Sequence, residues 1–116
     1  MDSDSLKHHF GGNTYIREES FKAGALMMQH VHKDDHQSIL GCGDALLILD
    51  GVVTELTGPC VVFIPAGKRH ALKAVTDVTW FCIRGTEETD PQKIDHETIA
   101  DPDMTPLKAY EEMRAV

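Results

Sequence analysis

The sequence predicts an all-β sandwich or barrel. Three observations carry that expectation. Short runs rich in Val, Ile, Leu, Phe and Tyr recur along residues 14–85. Turn signals built on Gly, Pro, Asp and Asn separate them at intervals of roughly 6 to 12 residues. No stretch before residue 90 keeps a helical period of useful length.

Taken in order, residues 1–13 (MDSDSLKHHFGGN) are polar, end in Gly11-Gly12-Asn13 and read as a mobile N-terminal arm. NTYIREESFKAG alternates loosely and stops at Gly24, ALMMQHVH is a second run, and QSILG is a third. DALLILDGVVTEL is the strongest hairpin signal, because Asp50-Gly51 suits a two-residue type I′ turn whose central residues both need positive φ. GPCVVFIPAG is a strand bounded by Gly58-Pro59 and Pro65-Ala66-Gly67. HALKAV and VTWFCIRG follow, parted by Thr76-Asp77. Residues 86–116 are acidic, carry Pro91, Pro102 and Pro106, and read as an extended tail ending in a short helix, with Thr105 as N-cap and Pro106 at its first position. The expected division is therefore an arm over 1–13, a barrel over 14–85 and a tail over 86–116.

At 116 residues one domain is expected. No apolar run reaches the ~18–20 residues that span a membrane, and the polar N-terminus has no apolar segment of the secretory kind. Cys42, Cys60 and Cys82 are odd in number, form no CxxC and sit in apolar stretches, which fits buried thiols in a reducing, cytoplasmic setting. A net charge of −8 argues against nucleic acid and against an anionic membrane surface. ALLIL, CVVFI and WFCI are apolar on successive residues, so both faces of those strands need cover. A second copy of the chain, in a homodimer, would supply it.

Candidate chemistry concentrates in histidine. His30, His32 and His36 fall within HVHKDDH, and His70 follows Pro65-Ala66-Gly67. With 7 His in 116 residues, chance gives roughly 0.4 His-x-His pairs, so the pair needs its context. On an extended strand His30 and His32 share one face. Neutral imidazole suits divalent iron, zinc, nickel or manganese.

At these residues the chain resembles the cupin superfamily. The first motif of that family fits Gly24, five residues, His30-Val31-His32, three residues, His36, six residues, Gly43, with His36 standing where the family has glutamate. The second fits Pro65-Ala66-Gly67, two residues, His70, while Gly58 stands one position early and Ala74 replaces the closing asparagine. DHQSILGCG with TDVTWFCIRGTEETDP also looks like small cupin proteins of bacteria and phages, which implies nothing about activity. The resemblance implies a jelly-roll β-barrel with a four-histidine metal site at His30, His32, His36 and His70. It also implies a small-molecule substrate entering through the barrel mouth.

No catalytic acid or base stands out. There is no paired-carboxylate, Ser-His-Asp or phosphate-loop signature; Glu55 and Tyr15 are weak candidates for proton transfer. Met27, Met28, Trp80 and Phe81 read as core or interface before pocket lining. Lys68 and Arg69 read as solvated groups that could guide an anion to the mouth. Glu18, Glu19, Asp34 and Asp35 read as surface charges, and His8, His9 and His96 as solvated tail histidines. Three functions follow: an Fe(II) dioxygenase-like enzyme, a binding module for metal or small ligand, and an oligomerisation scaffold.

Overall fold

The computed structural model describes residues 5–28 and 31–101. Its strands are β1 (Ser5–Gly11), β2 (Thr14–Phe21), β3 (Leu26–Met28), β4 (Val31–His32), β5 (His36–Cys42), β6 (Asp44–Leu49), β7 (Val52–Thr57), β8 (Cys60–Ile64), β9 (His70–Ala74), β10 (Val78–Gly85) and β11 (Ile99–Asp101), with helix α1 (Pro91–Thr98) before the last. They form a five-stranded sheet in the order β1-β2-β10-β5-β8, a four-stranded sheet β3-β9-β6-β7 and a β11-β4 ladder, all antiparallel. The expected all-β jelly-roll class is what is observed.

Period-two alternation builds the core between the two larger sheets. Phe21, Leu40, Val62, Ile64, Val78 and Trp80 come from the first sheet, and Met27, Ala45, Leu47, Leu72 and Ala74 from the second, in one buried cluster. Trp80, Leu40 and Ile64 are each 0% exposed, and burial of each such side chain contributes about 1.5–3 kcal/mol. Met27 is thus core, as is Trp80.

The turns are set by residues that tolerate left-handed backbone. Asp50 (φ 47°) and Gly51 (φ 80°) form the expected turn between β6 and β7. Gly43 (φ 87°) is the most constrained: a Cβ there would run into the Asp77 carbonyl oxygen and stand 2.9 Å from both Val78 Cγ1 and Thr76 Oγ1. Gly43→Ala is therefore expected to cost about 2–4 kcal/mol and lower Tm by roughly 10–20 °C. Differential scanning calorimetry checks this.

Two boundaries differ from expectation. Ser5–Gly11 is not an arm; it pairs with β2 from Ser5↔Ser20 to Gly11↔Thr14. Gly12 (φ 58°) and Asn13 (φ 56°) make the two-residue turn that closes this hairpin, and the Thr86 N–H donates to the Asn13 carbonyl at 2.8 Å. Residues 91–98 are helical rather than extended. Pro91 takes the first position, Asp90 Oδ1 accepts from the Gln92 N–H at 3.0 Å, and Ile94 is 1% exposed. The helix expected at Thr105-Pro106 lies outside the described residues.

Candidate functional site

One end of the barrel is assembled where β5 and β9 begin and where β8, β10 and β6 finish. His36, the first residue of β5, faces Ile64 at the end of β8. Burial alternates as His36, Ser38 and Leu40 along β5, so the His36 ring points to the interior. His70 opens β9 opposite Leu49 and shares its face with Leu72 and Ala74, which belong to the core. His36 is 5% and His70 0% exposed, and their ring centroids are 6.0 Å apart at 54°. Two histidines taken from separate motifs thus meet inside the barrel.

Hydrogen bonds pin the loops that carry them. Asp35 Oδ1 accepts from the Ala66 N–H at 2.7 Å, tying the approach to His36 to the turn before His70. Asp50 Oδ1 accepts from the Arg69 N–H at 3.0 Å, and the Asp50 N–H donates to the Arg69 carbonyl at 2.9 Å. Lys68 Nζ lies 3.1 Å from Asp50 Oδ2. The Lys68 and Arg69 contacts hold the Asp50 carboxyl below its usual range. Asp35, read as a plain surface charge, is a loop anchor, and Lys68 is paired.

Burial, and then the Arg84 charge, lower the His36 pKa to about 4, against a weaker opposite pull from Asp35. The unfolded imidazole titrates near 6.5, so between pH 6.5 and 4 the unfolded chain binds more protons than the folded one. Stability should hold above pH 6.5 and fall with acidification, by about 2 kcal/mol at pH 5 and about 3 kcal/mol near pH 4. His36→Gln should flatten that window in the metal-free protein. Tm measured from pH 7.5 to 4.5 on both proteins tests it.

Arg84 was not singled out in the sequence. The alternation Trp80, Cys82, Arg84 turns it to the interior face, where it opposes Tyr15 of β2. Continuing the Ile83↔Gln37 register by one residue sets it beside His36. Tyr15 lines the same face, 2% exposed, with its hydroxyl 2.7 Å from His8 Nδ1 and its ring 5.1 Å from that of Phe10. One step deeper, Arg17 Nε pairs with Glu19 Oε1 at 2.9 Å. Glu19 shares the interior face of Tyr15 and Phe21, although a surface role was expected. Glu55 is exposed on β7, away from this end. The expected burial of the three thiols is met only in part: Cys60 and Cys82 are partly buried and Cys42 is exposed, and desolvation pushes the Cys82 thiol pKa up.

His30 lies outside the described residues. His32 occupies β4, paired with Ile99 of β11; its side chain, like those of Met28 and His96, is outside the described part. Among the described residues no three His, Cys, Asp or Glu side chains cluster in a metal-holding arrangement. His8 and His9 sit on β1 rather than in a tail, His9 Nε2 at 3.0 Å from Glu18 Oε1. Among the described residues no helix is long and apolar enough to cross a membrane.

No family model matches the chain, and no curated protein matches its sequence. Solved structures do. An RmlC-like cupin protein from Desulfovibrio desulfuricans superposes with a TM-score of 0.61 at 24% identity, over 71% of this chain and 82% of that one. A cupin superfamily protein from Desulfitobacterium hafniense gives 0.61 at 18% identity, over 75% and 83%. A salicylate 1,2-dioxygenase from Pseudaminobacter salicylatoxidans gives 0.66 at 11% identity, over 84% of this chain and 31% of that one. With its paired antiparallel sheets and these structural neighbours, the chain has the cupin fold.

Proposed function

We propose that this chain is a metal-binding cupin that handles a small molecule inside its barrel. The supporting observation is the meeting of His36 and His70, both buried, 6.0 Å apart between ring centroids. Two imidazoles sharing one ion at metal–nitrogen bonds of about 2.1 Å hold their centroids about 4.5–6.5 Å apart. His36 also stays neutral at physiological pH, which is the ligating form. The donor set therefore fits a divalent transition metal. His30, His32, His36 and His70 would hold it, with Fe, Zn, Ni or Mn as the ion. When bound, such an ion supplies Lewis acidity or, as iron, oxygen activation.

The chain's own contribution is the setting of the two histidines. Ile64 and Leu72 are buried on the same interior faces, Asp35 and Asp50 fix the loops that present His36 and His70, and Arg84 stands opposite Tyr15 on the neighbouring strand. An Fe(II) dioxygenase-like enzyme acting in the cytoplasm is the reading this supports best. The test is the metal content of untagged protein purified without chelator or nickel resin, by plasma mass spectrometry. About one transition-metal ion per chain supports the reading. A content near zero that stays there after dialysis against Fe(II), Mn, Ni and Zn sinks it.

A specific observation favours an additional scaffold role. Val61 and Phe63 on β8 are 69% and 50% exposed, on the outer face of the five-stranded sheet. We propose that a second copy of the chain covers this face in a homodimer.

A further inference from the structure

We propose that residues 86–101 act as a strap that positions β4, and with it His32, so that the C-terminal segment completes the candidate metal site. The metal-binding part of this inference rests on the reading above; the positioning of β4 does not.

The motif histidines are held in different ways. His36 opens β5, which lies between β10 and β8, and His70 opens β9, which lies between β3 and β6. His32 ends β4, a strand of two residues that belongs to neither large sheet. Among the described residues its one strand partner is β11, with Ile99 opposite His32 and Asp101 opposite Val31. So short a strand cannot fix itself, because its backbone groups need a neighbour to bond to. Here that neighbour comes from the segment that follows the barrel.

The segment is itself tied down step by step. The Thr86 N–H donates to the Asn13 carbonyl at 2.8 Å, and the Glu88 N–H donates to Thr86 Oγ1 at 3.0 Å. Glu88 Oε1 accepts from the Thr89 and Asp90 N–H groups, each at 3.1 Å. Asp90 Oδ1 then caps α1 through the Gln92 N–H. Ile94 is 1% exposed, yet it stands outside the core cluster between the two sheets. The helix therefore has an apolar seat of its own. Because α1 runs directly into β11, the seat of the helix decides where β11 lies, and β11 decides where β4 lies. By linkage, a ligand that holds His32 in place also holds the strap.

The test compares full-length wild type with Ile94→Asp, which sets a charge where an apolar side chain is buried and should unseat α1 and β11. In the metal-stripped chains, amide hydrogen exchange should speed up in peptides covering 91–101 and in peptides covering Val31 and His32. Peptides from β10 should stay protected, which shows that the barrel is folded. Cobalt(II) alone is the probe for the site, followed by the visible absorption of the bound ion. Its affinity should fall roughly tenfold or more in Ile94→Asp, and Ile94→Val should keep the wild-type value. In a His32→Gln background, Ile94→Asp should weaken cobalt no further, because the strap acts through His32; a helix that merely stabilised the fold would show no such dependence. Cobalt should also slow exchange over 91–101 in wild type. If Ile94→Asp does not fold, Asp90→Ala, which removes the cap of α1, takes its place in the same comparisons with smaller effects. The proposal is overturned if the folded variant leaves exchange at β4 unchanged, if it binds cobalt as wild type does, or if its loss of affinity persists in full beside His32→Gln. Faster exchange at β4 in a chain that binds no cobalt would sustain the positioning of β4 while the metal reading fell. Normal cobalt binding, with exchange at β4 indifferent to Ile94→Asp, would do the reverse.

Discussion

His70→Gln is expected to cut retained metal by tenfold or more, from about one ion per chain to below about 0.1. Glutamine is close to histidine in size, so a residue that is 0% exposed is replaced without a large cavity. What disappears is an imidazole nitrogen at the start of β9. The loss should show in stability as well as content. A ligand at a hundred times its Kd stabilises the fold by about 2.7 kcal/mol, so wild type should gain several degrees in Tm on metal loading and His70→Gln should gain almost none. His36→Gln separates two readings of the substituted motif position. If His36 ligates, its variant behaves as His70→Gln does. If it serves only as a buried neutral neighbour, metal content survives. His8→Gln and His9→Gln, on the exposed strand β1, are the controls and should keep their metal. Equal metal retention in all four variants would remove the histidine pair from the site.

These residues were legible in the sequence to unequal degrees, and each difference has a physical reason. The barrel strands were readable because their apolar runs end at residues with unusual backbone, as Asp50-Gly51 and Gly43 show. That His36 and His70 belong to one site was an implication of the family resemblance; spacing alone could not say whether their rings converge, because 33 residues separate the two, which open different strands. Strand β1 was missed because SLKHHFG has no buried face to advertise; after Ser5 it is exposed throughout. Helix α1 was missed because PQKIDHET offers one buried apolar side chain, Ile94, and so no stripe to count. Arg84 and the Arg17–Glu19 pair were missed for a different reason. A charge in a strand defaults to the outer face, and only the alternation with Trp80 and with Tyr15 and Phe21 reverses that. Nor could the sequence show what covers the second face of a strand that is apolar on both. On β6, Ile48 is 0% exposed, covered within the chain, whereas Val61 on β8 is 69% exposed.

That uncovered face carries the other large effect. Val61→Asp with Phe63→Asp is expected to convert a dimer of about 26 kDa (2 × 12.9 kDa) into a monomer of 12.9 kDa, read by light scattering after size exclusion. The outward residues of the three adjoining strands are Gln37, Ile39 and Gly41 on β5, Val61 and Phe63 on β8, and Thr79, Phe81 and Ile83 on β10, and none is charged. The chain as a whole carries −8, so two copies repel one another except where charge is absent. The three strands β10, β5 and β8 present an uncharged face about 14 Å wide and about 24 Å long. It forms the centre of the contact, and the surrounding residues supply the rest of the ~800 Å² per partner of a standard interface. The repulsion between like-charged copies also fixes the salt dependence. Raising ionic strength from about 0.01 M to 0.15 M shortens the screening length from about 30 Å to about 8 Å, so the dimer should tighten as salt is added. An assembly held by ion pairs would loosen. Two aspartates at the centre of the face would bury charge without partners and should abolish association, while the single chain keeps its fold because both side chains are already exposed in it; Tm then falls only by the concentration-dependent share that dimerisation supplied. Wild-type protein that stays at 12.9 kDa at about 100 μM in 0.15 M salt would leave the outer face without a second copy.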